Sequence, residues 1–328
     1  MKKISVLGAG AWGTTLAILL AEAGNEVTLW SFEKEVTDEI NKTRENKIFL
    51  PGFQIPINIK VTNETKETKS AEIFFIIIPT QFLRSVCQKF KGVIPQDKMI
   101  VSASKGIELN TQKLPLQIIE EELNNKNLVA LSGPNLSKEI AQGLPAAAVA
   151  ASKDPTLAKT VQETMMLERF RVYASSDPLG VELGGALKNV IAIAAGVVDG
   201  LGLGENAKAS LIIRGMAEIS RLGVAMGASA ETFMGLSGMG DLITTCGSKL
   251  SRNHSVGEQI AEGKKLEQII KSMKSVAEGV ATTKAAIALA KKHQVEMPVT
   301  EEIYKVLYEN KNPTNSISDL MTRSATSE

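Results

Sequence analysis

The sequence predicts an α/β chain: a Rossmann-like, doubly wound parallel sheet in the N-terminal part, followed by an all-α C-terminal part. Three observations carry this. Short apolar runs alternate with helix-like segments through the first half, the pattern of strands joined by crossover helices. Residues 73–78 (Ile-Phe-Phe-Ile-Ile-Ile) are apolar at every position, as expected of a strand covered on both faces. Beyond Pro178 no strand pattern recurs.

Taken in order, residues 4–7 read as a strand, 12–23 as a helix closed by Gly24, and 26–30 as a second strand. Residues 73–78, 99–103 and 128–131 continue the sheet, with helical patterns between them such as 114–123. Residues 146–151 and 170–173 read as strands extending it. Helices are expected over 179–198, 207–226, 255–262, 266–273, 280–291 and 300–308, separated by Gly- or Pro-containing turns. The Ser175-Ser176-Asp177-Pro178 stretch sets the expected boundary between domains 1–176 and 177–328. The tail, 315–328, is polar and small, and partial disorder is expected there.

The 328 residues suit two domains, and 44% hydrophobic content is enough for a sizeable core. A formal net charge of +1 gives no global pull toward nucleic acid or an anionic membrane, so an anionic ligand has to be held by local charges. The two cysteines, Cys87 and Cys246, form no CxxC pair. Neither a disulfide framework nor a thiolate metal site is expected, and a reducing cytoplasmic compartment fits. The apolar run at the N-terminus is short and broken by Gly8 and Gly10, unlike a signal peptide. A membrane-spanning helix is not expected: the closest candidate, 187–198, is short and contains Lys188 and Asn189.

Gly8-Ala9-Gly10-Ala11-Trp12-Gly13 fits G-x-G-x-x-G directly after a predicted strand and at the start of a predicted helix. In that context the pattern signals a dinucleotide site on a Rossmann-like sheet. Gly8 permits the tight turn, Gly10 lets backbone approach a pyrophosphate, and Gly13 allows close helix–sheet packing. The helix N-terminus offers free N–H groups to the phosphates. Cofactor choice stays open at Ser31-Phe32-Glu33-Lys34: Glu33 facing the ribose favours NAD, whereas Lys34 suits the extra phosphate of NADP. Three further loops fall at predicted strand ends: Pro79-Thr80-Gln81, Ser102-Ala103-Ser104-Lys105-Gly106 and Ser132-Gly133-Pro134-Asn135. Lys105 can reach a cofactor or substrate phosphate, and Asn135 is a candidate substrate contact.

A dehydrogenase acting on a secondary alcohol needs a base for the hydroxyl proton. Of the two histidines, His293 lies at a polar helix end and is expected to be exposed. Lys188 is the better candidate. Positions 181, 184, 188, 191 and 195 share one helix face that is otherwise apolar or glycine. Burial there lowers a lysine pKa toward the working range of a general base, and the neighbouring glycines leave room for a ligand. Asp241, in Gly238-Met239-Gly240-Asp241-Leu242, can orient a substrate hydroxyl or the lysine ammonium. Ser251-Arg252-Asn253 precedes His254; Arg252 can grip a phosphate bidentately and Asn253 adds a donor.

These residues together resemble the bacterial-type NAD(P)-dependent glycerol-3-phosphate dehydrogenases. The match runs from Gly8-Ala9-Gly10-Ala11-Trp12-Gly13-Thr14-Thr15-Leu16-Ala17 through Leu50-Pro51-Gly52, Ser104-Lys105-Gly106-Ile107 and Ser132-Gly133-Pro134-Asn135. It continues through Gly184-Gly185-Ala186-Leu187-Lys188-Asn189, Gly238-Met239-Gly240-Asp241-Leu242, Ser251-Arg252-Asn253 and Glu278-Gly279. The resemblance implies that Lys188 is the proton acceptor. It implies substrate contacts at Lys105, Gly133, Asp241, Ser251, Arg252 and Asn253, with Lys105 and Arg252 also near the cofactor. Ala11, Trp12, Ser137, Val276 and Glu278 match cofactor positions. The resemblance further implies a cytoplasmic homodimer that supplies glycerol phosphate for phospholipid synthesis from a phosphorylated triose. At Phe32-Glu33 many relatives carry basic residues suited to NADP, and this departure tilts the expectation toward NAD or dual use. Two other readings of the same residues are a β-hydroxyacid-type dehydrogenase and a non-catalytic dinucleotide sensor.

Overall fold

In the computed structural model, residues 1–273 and 276–324 are described, and they fall into two compact units. The first comprises Met1–Lys105 and Lys113–Glu182; the second comprises Gly106–Gln112 and Leu183–Glu328.

The first unit is built on strands β1 (Lys3–Leu7), β2 (Glu26–Trp30), β5 (Lys60–Thr62), β6 (Ile73–Ile76), β7 (Met99–Ser102), β8 (Leu128–Ser132), β9 (Ala146–Ala151) and β10 (Phe170–Ser175). Its helices are α1 (Ala11–Glu22), α2 (Lys34–Thr43), α3 (Thr80–Phe90), α4 (Pro115–Leu123), α5 (Ser137–Ala141) and α6 (Pro155–Met165). The strands form one sheet in the order β10-β9-β8-β7-β6-β1-β2-β5. Alternate residues of each strand feed two separate cores: Val6, Phe75, Val101 and Leu131 on one face, Leu7, Phe74, Ile100 and Ala130 on the other. The sheet is thus covered on both sides, as the unbroken apolar run at 73–78 requires.

The observed sheet departs from the sequence expectation in three respects. The sheet is mixed, because β9 pairs antiparallel with β8 while β10 runs parallel to β9. The three-residue edge strand β5, parallel to β2, gave no readable pattern. A two-stranded antiparallel hairpin, β3 (Glu45–Asn46) with β4 (Leu50–Gln54), stands apart from the sheet and carries the Leu50-Pro51-Gly52 motif. From β1 the chain adds strands first on the β2 side and then on the β6 side. The carboxyl ends of β1 and β6 therefore flank the topological switch point, where doubly wound sheets bind ligands.

Helix α7 (Pro178–Gly200) begins in the first unit and continues into the second. The second unit adds α8 (Gly204–Ala225), α9 (Ala230–Met234), a π-helical turn (Leu236–Gly240) and α10 (Asp241–Gly247). They are followed by α11 (Arg252–Ala261), α12 (Leu266–Ser272), α13 (Glu278–His293), α14 (Pro298–Tyr308) and α15 (Pro313–Met321). Helix α7 is longer than the sequence reading allowed and is apolar enough, over an 18-residue window of mean hydropathy 1.6, to pass for a membrane span; that window is wholly buried. It packs by close backbone contact. A β-carbon on Gly196 would lie 1.9 Å from the His254 carbonyl oxygen, and one on Gly257 2.0 Å from that of Ile193, so α7 and α11 cross where both lack side chains.

Two smaller corrections complete the fold. The expected disorder from residue 315 is overturned as far as Met321, because Asn312 caps α15 by accepting from the Thr314 N–H at 2.8 Å. Residues 325–328 of that tail lie outside the described residues. His293, at the end of α13, is half-buried rather than exposed.

Candidate active site

In the first unit the glycine-rich turn joins β1 to α1 at the switch point. Gly8 has φ 115°, and a β-carbon there would lie 2.4 Å from the Ile77 carbonyl oxygen, so only glycine fits. A β-carbon on Gly13 would lie 1.8 Å from the Gly8 carbonyl oxygen. Gly10 differs: nothing lies within 4 Å of such a carbon. The protein's own packing does not demand glycine there, and the space lies at the N-terminus of α1, where N–H groups and the helix dipole favour an anion. A dinucleotide pyrophosphate fits that cradle.

Around this turn stand polar groups that the described part of the protein does not satisfy. The Trp12 indole N–H and both amide atoms of Asn135 are buried without a hydrogen-bond partner among the described residues. Such groups are expected where a ligand completes the bonding. Lys105 donates from Nζ to the Gly133 carbonyl at 3.0 Å, tying the loop after β7 to the loop after β8. Gly133 has φ 140°, and a β-carbon there would meet the Ala147 carbonyl oxygen at 2.9 Å. Ser137 opens α5, and its carbonyl accepts from the Thr15 hydroxyl of α1 at 3.3 Å. Ala11 begins α1. Beyond β2, Glu33 is exposed and accepts from the Ser31 hydroxyl at 3.3 Å, leaving its carboxylate at the rim.

In the second unit the buried lysine finds its partners. Lys188 Nζ lies 2.7 Å from Asp241 Oδ1 and 2.6 Å from Thr245 Oγ1. Lys188 is 7% exposed and Asp241 1%. The Thr245 hydroxyl donates back to the Asp241 carbonyl at 2.6 Å, so its oxygen lone pairs face the ammonium. Helices α7 and α10 are brought together by Gly184: a β-carbon there would fall 2.6 Å from the Ser237 carbonyl oxygen in the π-turn. The reading of this glycine as room for a ligand is therefore corrected; it makes room for backbone.

The residue after Lys188 meets the residue after Arg252. Asn253 donates from Nδ2 to Asn189 Oδ1 at 2.8 Å and accepts at Oδ1 from the Gly279 N–H at 2.9 Å. The Asn253 side chain thus locks α7, α11 and α13 together. Ser251 caps α11 by accepting from the His254 N–H at 3.2 Å. The first backbone N–H groups of the helix and the cationic side chain of Arg252 together make a set of donors suited to an anion. Burial holds the Arg252 guanidinium below its ordinary pKa, and Glu278, which opens α13, only partly offsets this by favouring the charged form. Val276 is partly exposed just before it.

Buried His254 bonds through Nε2 to Asp199 at 2.8 Å, and Lys208 reaches the same carboxylate oxygen at 2.7 Å. Burial works to raise the Asp199 carboxyl, but hydrogen bonds from Lys208 and His254 outweigh it and hold the group below its ordinary value. Burial pushes the Cys246 thiol up to about 12, so it holds no thiolate beside Lys188. Thr245 and Asp199 carry no motif that signals this role, and Asn189 lies in the Lys188 motif without a role of its own. The one sequence cue to Thr245 is that it follows Asp241 at the i+4 helical spacing.

A parallel-dominated sheet with this glycine turn, in one chain with a helical unit holding a buried lysine–aspartate pair, defines a dinucleotide-dependent dehydrogenase. Two family models match, the N-terminus of NAD-dependent glycerol-3-phosphate dehydrogenase over residues 3–158 and its C-terminus over 177–318. The chain belongs to this family. The glycerol-3-phosphate dehydrogenase (NAD(P)+) of Citrifermentans bemidjiense is 49% identical over 331 residues, spanning 100% of this chain and 99% of that protein. A crystal structure of glycerol-3-phosphate dehydrogenase from Coxiella burnetii superposes with TM-score 0.94 at 36% identity, over 98% of this chain and 99% of that one. The Saccharomyces cerevisiae enzyme superposes with TM-score 0.83 at 30% identity, over 98% of this chain and 99% of that one.

Proposed function

We propose that the chain interconverts sn-glycerol 3-phosphate and dihydroxyacetone phosphate with NAD or NADP, supplying glycerol phosphate for phospholipid synthesis. The observation that carries the mechanism is the Lys188–Asp241–Thr245 cluster, tied through Asn189 and Asn253 to the capped start of α11. A proton donor and a phosphate cradle are thereby held in fixed register.

From the first unit, Gly8, Gly10, Ala11, Trp12 and Gly13 would hold the pyrophosphate side of the dinucleotide, Glu33 the adenosine ribose, and Lys105 and Ser137 would add contacts; Val276, Glu278 and Arg252 are the cofactor residues of the second unit. A dinucleotide held by these residues would supply the hydride acceptor for oxidation and the hydride donor for reduction. The second unit serves the substrate. Arg252, Asn253 and Ser251 bind its phosphate, with Lys105, Gly133 and Asn135 as further contacts. In reduction the Lys188 ammonium donates a proton to the carbonyl oxygen as the alcohol forms; in oxidation its amine takes the hydroxyl proton. Asp241 keeps the ammonium oriented and compensates its charge, and Thr245 accepts one of its hydrogen bonds.

The enzyme acts as a cytoplasmic homodimer. The family resemblance supports the assembly, and two buried, unpaired cysteines support a reducing compartment. The deciding assay follows NADH and NADPH oxidation separately with dihydroxyacetone phosphate. Turnover with at least one of them is expected; turnover on a 2-oxo or 3-oxo acid with none on the triose phosphate would overturn the reading.

A further inference from the structure

The β3–β4 hairpin carries a motif that the mechanism above does not use. Asn46, its second residue, is 1% exposed. Its Nδ2 donates to the Ala9 carbonyl at 2.7 Å and to Thr14 Oγ1 at 2.9 Å, and its Oδ1 accepts from the Phe49 N–H at 3.1 Å. Every polar atom of the amide is engaged, which fixes its orientation. Ala9 is the central residue of Gly8-Ala9-Gly10. The only other side-chain contact to its carbonyl among the described residues is a long one from the Thr14 hydroxyl, 3.4 Å.

The Ala9–Gly10 peptide is trans and planar, so its C=O and N–H point in opposite directions. Holding the Ala9 oxygen toward Asn46 therefore aims the Gly10 N–H away from the hairpin, and nothing lies within 4 Å of a β-carbon placed on Gly10. The plane is bordered on one side by Gly10, which has no side chain, so it lacks the steric restraint on flipping that a second side chain would impose. We propose that Asn46 is a positioning residue for the dinucleotide: it locks this plane and thereby presents the Gly10 N–H to the pyrophosphate. The proposal rests on the dinucleotide reading of the turn. The rest of the hairpin serves to seat the asparagine. Leu50 is fully buried, Gly52 turns with φ 87°, and the Gly52 N–H donates to Glu45 at 2.7 Å.

The test uses the full chain and NADH binding, read by nicotinamide fluorescence and by calorimetry without substrate. Asn46→Asp keeps the shape but turns a carboxylate oxygen on the Ala9 carbonyl; Asn46→Ala removes the donor. Phe49→Ala trims the same hairpin without touching the amide. The expected result is a rise in NADH Kd of about ten-fold or more for Asn46→Asp and three- to ten-fold for Asn46→Ala. At saturating NADH the KM for dihydroxyacetone phosphate should stay within two-fold. Phe49→Ala should lower Tm while leaving the NADH Kd within two-fold. In the wild type, amide exchange at Gly10 should slow on adding NADH, a readout that needs no variant to fold. NADH Kd unchanged in both Asn46 variants, equal weakening by Phe49→Ala, or no protection at Gly10 would each overturn the proposal. Failure of the wild type to bind NADH or NADPH would instead sink the dinucleotide reading itself.

Discussion

Gly184 and Ser237 meet backbone to backbone, with 2.6 Å between the position of a β-carbon on the first and the carbonyl oxygen of the second. Lys188 stands one helical turn further along α7 and Asp241 four residues beyond Ser237, so this single contact sets the reach of the ion pair. Gly184→Ala should force the helices apart, lowering stability by ~1–3 kcal/mol and turnover with it. Gly247→Ala, where nothing lies within 4 Å, should leave both within error. Thermal melts and kcat for the two variants make the comparison, and equal behaviour would refute the contact's role.

Removing the lysine has two separable effects. Lys188→Ala should cut kcat by ~10²–10⁴ with NADH binding nearly intact. It also strips the buried Asp241 carboxylate of its cation, a loss of ~3–5 kcal/mol. Pairing Lys188→Met with Asp241→Asn removes both charges, so the double variant should regain Tm but not turnover. Activity returning together with stability would assign the lysine a structural part only.

Much of this was readable beforehand. A lone charge in an apolar run betrayed Lys188, and the strand before Gly8 gave its turn a meaning. The partners were not readable, because Thr245 and Asn253 reach α7 only through glycine contacts between residues some fifty or more positions apart in the chain. Strand β9 was visible as Ala-Ala-Ala-Val-Ala-Ala, but its antiparallel direction is a property of pairing and not of composition. The edge strand β5, only three residues long, is too short for any alternation to register.

Glu182 makes stability depend on pH. It is buried, accepts from the Leu116 N–H at the start of α4, and burial pushes its carboxyl up to about 8. The folded state therefore holds a proton up to about pH 8 that the unfolded chain releases near 4.5. Stability falls as pH rises through that window, by a few kcal/mol (~3–5), and levels off above it. Glu182→Gln should remove this slope, so Tm should match the wild type near pH 4.5 and exceed it at pH 8.5. Parallel Tm curves would show that the carboxyl is ionised throughout. Glu218, pushed up to about 7 while its carboxylate bonds the first turn of α14, should add a weaker slope ending at lower pH.

The rim beyond β2 is expected to set the choice of dinucleotide. Glu33 is exposed and linked to Ser31, and a carboxylate at this position would suit a ribose hydroxyl pair better than a phosphate dianion. The wild type should use NADH at least as well as NADPH. Glu33→Arg should raise the NADPH/NADH ratio of kcat/KM about ten-fold or more, measured side by side. An unmoved ratio would exclude Glu33 from cofactor choice.

Helix α7 is enclosed on every flank over its apolar 18-residue window. Random substitution finds no harmless landing place along such a rod, since a larger residue collides and a polar one arrives without a partner. In a saturation library this stretch should emerge as the barest band of tolerated change, its glycines as strictly held as its lysine.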